Sequence, residues 1–128
     1  MAEWTSDELT RIGTAEELEI ASRRGDGTLR GPRTVWVVRR GDDLYVRSVG
    51  GPSAAWYRGT RAGHEGHITA GGVDKDVTFV DADHDMDDEL DTAYRSKYRR
   101  YAANILDSIT SHEARSTTIE LVPRAAAS

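Results

Sequence analysis

The sequence predicts an α+β fold. Six short strands pair as hairpins into a mostly antiparallel barrel, with a short N-terminal helix, a short central helix and one long helix before the last strand. Three observations predict it. Apolar stretches of strand length are bounded by Gly, Pro and Asp turns. Met86, Leu90, Tyr94, Tyr98, Tyr101, Ile105 and Ile109 recur at helical spacing. The order of elements, strands in hairpins and a helix late in the chain, is that of an α+β barrel rather than of alternating parallel units.

Each element has a local reason. Ser6 is the expected N-cap of the first helix, with Asp7 and Glu8 in its first turn, Leu9 and Ile12 on one face, and Gly13-Thr14 at its end. Glu17 to Ala21 alternates polar and apolar residues, the period of a half-buried strand. Gly25-Asp26-Gly27 and Gly31-Pro32 punctuate a loop. Thr34 to Arg40 reads as a strand buried on both faces. Gly41-Asp42-Asp43 turns it into the returning strand, Leu44 to Val49. Gly50-Gly51-Pro52-Ser53 breaks the pattern, and Ser53 is the expected cap of a helix from Ala54 to Arg61. Gly66 to Ala70 and Asp76 to Val80 form a second hairpin around Gly71 to Lys75, the long helix runs from Asp85 to Ile109, and Thr117 to Val122 is the last strand. The 128 residues are the length of one domain, with 1–5 and 125–128 expected to be loose ends.

Composition excludes several chemistries. There are no cysteines, so disulfides, thiol catalysis and thiolate metal sites are absent. The run Val35-Trp36-Val37-Val38 is far too short to cross a membrane, and Met1 to Thr5 lacks the features of a secretory signal. The expectation is a cytoplasmic protein with neither membrane nor nucleic-acid partner. The net charge of −5 hides an asymmetry: Ile20 to Arg61 carries nine Arg against three acids, whereas His64 onward carries thirteen acids against seven bases. A basic block in an acidic chain favours a small anionic or phosphorylated ligand over an extended polyanion.

No metal site is expected. His64 and His67 are three apart at a strand entry, unlike the helical i, i+4 pair of zinc proteases. Asp81-Ala82-Asp83-His84-Asp85 spaces its carboxylates like a calcium loop, but Met86 stands where Gly is required, and the acids suit a helix start. That acidic start is also a candidate protein-docking surface. The Tyr94, Tyr98, Tyr101 stripe suits packing on a core or subunit interface, with stacking on a planar ligand as the alternative. The stretch from Asp26 to Gly72 carries more chemistry. Arg30 and Arg33 can fork onto a phosphate, with Thr28 as a neutral donor. Gly50 and Gly51 allow close backbone approach, the following helix start favours an anion, and Trp56 or Tyr57 can flank an aromatic ring.

The run from Thr34 to Ser48, followed by Gly50-Gly51 and Ala55-Trp56-Tyr57-Arg58, resembles the split β-barrel flavoproteins, in particular the deazaflavin-dependent nitroreductases and the pyridoxamine-phosphate-oxidase-like proteins. Nearly the whole chain also looks like the bacterial domain of unknown function 2255. The resemblance implies a homodimer holding FMN or a deazaflavin coenzyme at the subunit interface, for hydride transfer to a small organic substrate. Thr28, Arg30 and Arg33 match the phosphate-contacting loop. Ser48, Val49, Gly50 and Gly51 match the segment beside the ring. Trp56 and Arg58 match the helix that follows, and Tyr57 is the candidate proton donor. Two positions depart from the pattern. Gly27-Thr28-Leu29-Arg30-Gly31 stands in place of Gly-Arg-x-Ser-Gly, and Gly59 stands where Asn is common. They favour an alternative: a cofactor-free binding module, isomerase or lyase taking a small anionic metabolite in the same pocket.

Overall fold

The computed structural model describes residues 3–124. Seven strands form one sheet: β1 (Leu18–Ser22), β2 (Arg33–Val35), β3 (Val37–Arg40), β4 (Asp43–Val46), β5 (Glu65–Ala70), β6 (Val73–Asp81) and β7 (Ile119–Pro123). Their order is β2-β1-β5-β6-β7-β4-β3, and every pairing is antiparallel. The sheet's two edges, β2 and β3, are separated in the chain by Trp36 alone. The sheet therefore curls until one bent segment serves both edges, which nearly closes the barrel and leaves little edge exposed. The sequence expectation of six strands differs by that bend. The predicted strand from Thr34 to Arg40 is broken at Trp36, where it passes from β1's side to β4's.

The same segment is not buried throughout. Val37 faces the barrel interior with Leu18, Ile20, Leu44, Ile68 and Leu121, and Val38 packs outside against helices. Arg33, Thr34, Arg39 and Arg40 are exposed. Helix α1 (Ser6–Gly13) closes one end of the barrel with Leu9 and Ile12. Its N-cap is Thr5 rather than Ser6, in a capping box with Glu8. Trp4, placed by sequence in a loose end, is 8% exposed and donates its indole N–H to the Leu121 carbonyl at 2.9 Å. Residues 125–128 lie outside the described residues.

The long helix is three helices: α3 (Asp87–Lys97), α4 (Ala103–Ile109) and α5 (His112–Arg115). Helix α3 ends at Tyr98 with no Gly or Pro to mark the break. Tertiary contacts decide it. Tyr98 lies flat on Trp36 with ring centroids 3.9 Å apart, and donates its hydroxyl to the Glu16 carbonyl at 2.9 Å. Tyr101 reaches the same indole at 4.7 Å only because the chain turns there. Leu106 and Ile109 then return to the outer core. Among the described residues, no helix is long and apolar enough to cross a membrane.

Candidate functional site

Helix α2 (Ala55–Gly63) begins after a Gly50-to-Ala54 turn and stands beside β1. Its N-cap is Ala54, not Ser53, and no side chain caps it. The first-turn amides are thus free to meet an anion. Ala55 and Trp56 of this helix line a cavity of about 230 Å³ with Ser22, Arg24, Arg30, Arg33 and Thr60. Trp56 also lines a second cavity, of about 380 Å³, with Val35, Trp36, Val49, Gly50 and Ile105. One indole thus divides a cationic chamber from an aromatic and aliphatic one.

The basic loop is held in shape by its own backbone. Arg30 donates its N–H to the Ser22 carbonyl at 2.9 Å, and Arg24 donates to Thr28 at 2.7 Å. Arg30 is half-buried, and its Nε is buried with no hydrogen-bond partner among the described residues. An orphaned guanidinium nitrogen is costly to leave so. Gly59 makes its position possible: a Cβ there would lie 2.4 Å from Ser22 Oγ, 3.1 Å from Arg30 Nε and 3.2 Å from Arg30 Cδ. The residue that departs from the familiar Trp-Tyr-x-Asn pattern is the notch in which Arg30 lies.

The structure brings together Arg30, Arg33 and Trp56 at the first cavity, and Val49, Gly50 and Trp56 at the second. It does not bring in the others. Thr28 turns its hydroxyl to Asp26 Oδ1 at 2.7 Å, which closes a local turn and holds the carboxyl of Asp26 below its usual range. Ser48 is buried and donates to the Gly51 carbonyl. Gly51 has φ +75° and faces Glu113 of α5, so it serves the turn rather than a ligand. Tyr57 is 7% exposed inside the main core and lines neither cavity. Arg58 is exposed and borders neither.

Sequence reasoning missed Arg24, Ser22, Thr60, Trp36 and the α4 residues Asn104 and Ser108 as lining groups. Arg24 was visible within the basic block; the others carry no local signal. Arg47, which the sequence counts only as one of the basic block, is 1% exposed. Arg47 bonds Asp91 Oδ1 at 2.5 Å, Thr118 Oγ1 at 2.9 Å and the Ile109 carbonyl at 3.2 Å. Asp88 and Asp91 also hold Arg115. Asp87, Asp88 and Asp91 of the acidic helix start are therefore engaged by Arg47 and Arg115.

His67 pairs with Asp76 at 2.7 Å and with Asp74 across the β5–β6 hairpin, and His64 adopts φ 59° at the end of α2. Among the described residues, no group of three or more His, Asp or Glu side chains is placed to hold a metal. Of the tyrosine stripe, Tyr94 and Tyr98 are buried in the outer core and Tyr101 is half-buried, with Tyr98 and Tyr101 against Trp36, which is the packing role the sequence favoured over ligand stacking.

The family described as "Uncharacterized protein conserved in bacteria (DUF2255)" matches residues 8–121. No curated protein matches the chain. Among solved structures, a putative pyridoxamine 5′-phosphate oxidase from Listeria innocua superposes with a TM-score of 0.61 at 13% identity, covering 91% of this chain and 90% of its own. An F420 reductase gives 0.58 at 13% identity, covering 91% and 93%. At such identity these likenesses establish the barrel fold.

Proposed function

The chain belongs to the DUF2255 family, and from that membership and the geometry of the cleft we propose that it binds a phosphate-bearing flavin or deazaflavin and serves as an oxidoreductase of the split-barrel type. The observation that carries this reading is the position of Trp56, shared by an Arg-lined chamber and an aromatic one. A flat ring with an anionic arm has that polarity. The residues fit the group. Arg30 offers an unpartnered Nε, Arg33 an exposed guanidinium, and α2 an uncapped N-terminus. Together they would hold the phosphate, while Val49, Gly50 and Trp56 would bound the ring. Bound there, such a ring supplies hydride transfer, and the protein supplies binding, orientation and charge. Its structural neighbours, an oxidase-like protein and an F420 reductase by name, support the same class.

A homodimer belongs to this reading. Val49 is 58% and Ile105 42% exposed at the rim of the aromatic chamber, where a second copy would cover them. Sedimentation equilibrium is expected to give a dimer; a monomer at every concentration removes that part. The experiment for the whole is the absorbance spectrum of the untreated purified protein, followed by titration with FMN and with the deazaflavin coenzyme. A flavin-type band or saturable binding in the micromolar range is expected. No band and no binding of either overturns the reading. A second reading rests on Thr28, whose hydroxyl is committed to Asp26: the chamber then takes a small anionic metabolite without a cofactor. Thermal stabilisation by such an anion, with none by either flavin, would select it.

A further inference from the structure

The aromatic chamber has a second end, formed by α4 and the chain before β1. Its wall is rigid, because Trp36 is stacked on Tyr98 at 3.9 Å and 4° and held on the side by Tyr101. Its volume of about 380 Å³ is enough for a small ring. The charges around it are unequal. Arg47 lines it, but its guanidinium is satisfied by Asp91, with Asp87 at 3.8 Å. Glu16 is held by Arg100 and Tyr101. Glu17 is different: it is exposed, lines the chamber, and has no side-chain hydrogen bond or ion pair among the described residues. Asn104 of α4 lines the same chamber, with its amide likewise uncommitted among the described residues. Ser108, one turn on, donates to the Asn104 carbonyl at 3.0 Å and can still accept.

We infer that this end of the chamber is a subsite for a flat aromatic molecule whose edge is cationic or rich in hydrogen-bond donors, such as an aryl amine, amide or amidine. Glu17 accepts from that edge, Asn104 fixes its orientation, and Trp36 and Ile105 bound the ring. The cleft is thus sorted by charge: arginines select an anion at one end, and Glu17 repels one at the other. The inference deepens the function proposed above, since this occupant is the small molecule that would meet the bound ring; its test needs no cofactor.

The test compares benzamidine with benzoate on the unliganded protein, by ligand-detected NMR and tryptophan quenching. Glu17 is exposed, so an ion pair there is worth about a fivefold preference for benzamidine. Glu17→Gln is expected to abolish the preference, and Glu17→Lys to reverse it; neither change should disturb folding at an exposed position. Equal or tighter benzoate binding in the parent protein overturns the inference, as does a preference untouched by Glu17→Gln, or no binding of either compound. FMN titrated in parallel separates the two ideas. Failure of FMN to bind with the benzamidine preference intact removes the cofactor and keeps the subsite; the reverse removes the subsite alone.

Discussion

Arg47 and Arg30 are the same residue in two opposite situations. Arg47 sits under the helical cap with every nitrogen placed: Nε on Thr118, one terminal nitrogen on Asp91 and Ile109, the other on the Asp87 carbonyl. Its guanidinium also lies 5.4 Å from the Tyr94 ring centre. Arg30 sits in the loop with its Nε buried and unmatched. A saturated arginine fixes structure, because removing it leaves the carboxylates packed against it short of a partner. An unsaturated one beside a cavity has donor capacity that the fold does not use. Counting basic residues along the chain treats the two alike; only their partners tell them apart.

The comparison is broken most directly at Arg47. Arg47→Met leaves half-buried Asp87 without its buried partner and Asp91 with Arg115 alone, and should cost about 3 kcal/mol, the low end for breaking a buried pair, read from the urea midpoint. A loss below roughly 1 kcal/mol would show that the network is not what holds the cap.

Gly59→Ala probes the other region. In an ordinary helix this change stabilises by roughly 1 kcal/mol. Here the new methyl meets Ser22 Oγ and Arg30, so a destabilisation of about 1–3 kcal/mol is expected, with weaker FMN binding. Adding Ser22→Ala should return stability without returning binding, since the Arg30 contacts remain. Recovery of both would mean that Gly59 does not set the direction of Arg30.

Arg30→Ala with Arg33→Ala sharpens the contrast further. Affinity for FMN and for inorganic phosphate should fall at least tenfold, or about 1.4 kcal/mol. The unliganded melting curve should shift by no more than about 0.5 kcal/mol equivalent, because neither guanidinium is paired among the described residues. A large loss of stability would place these arginines with Arg47.

The remaining prediction concerns Lys97. Burial lowers its ammonium to a pKa of about 8, and its Nζ donates to the Val37 carbonyl at 2.6 Å. The folded chain then releases this proton before the unfolded chain does. Stability from this group therefore rises with pH between about 8 and the ordinary lysine value near 10.4. Melting curves of the parent and Lys97→Met across that window should shift in the parent's favour; a constant difference would show Lys97 to be solvated like a surface lysine.

How much of this was legible in the sequence varies by element. Strand periodicity and Gly-Asp turns marked β1, β4, β5, β6 and β7 within a few residues, because alternation reports which face is buried. Tyr94 and Tyr98 were placed on the core by their helical spacing. The breaks at Trp36 and Tyr98 were invisible, since neither carries Gly or Pro; each follows from partners far away in the chain. Within the site, Arg30, Arg33 and Trp56 were readable from the loop and helix they sit on. The directions of Thr28 and Tyr57 were not readable, because the direction of a side chain is set by its neighbours: Asp26 captures the first, and the barrel core the second.

The sequence by itself determined the inventory: which segments pair, which are helical, and that a basic loop precedes the central hairpin, because these follow from local period and turn chemistry. The tertiary structure alone decided how that inventory is spent. Closure of the sheet at Trp36 brings β1, β2, α2 and α4 around one cleft, and the packing of α3 on the barrel gives Arg47 its carboxylates while leaving Arg30 and Glu17 without partners. A charge acts on whatever lies within a few ångströms, and that distance is set by the fold rather than by position along the chain.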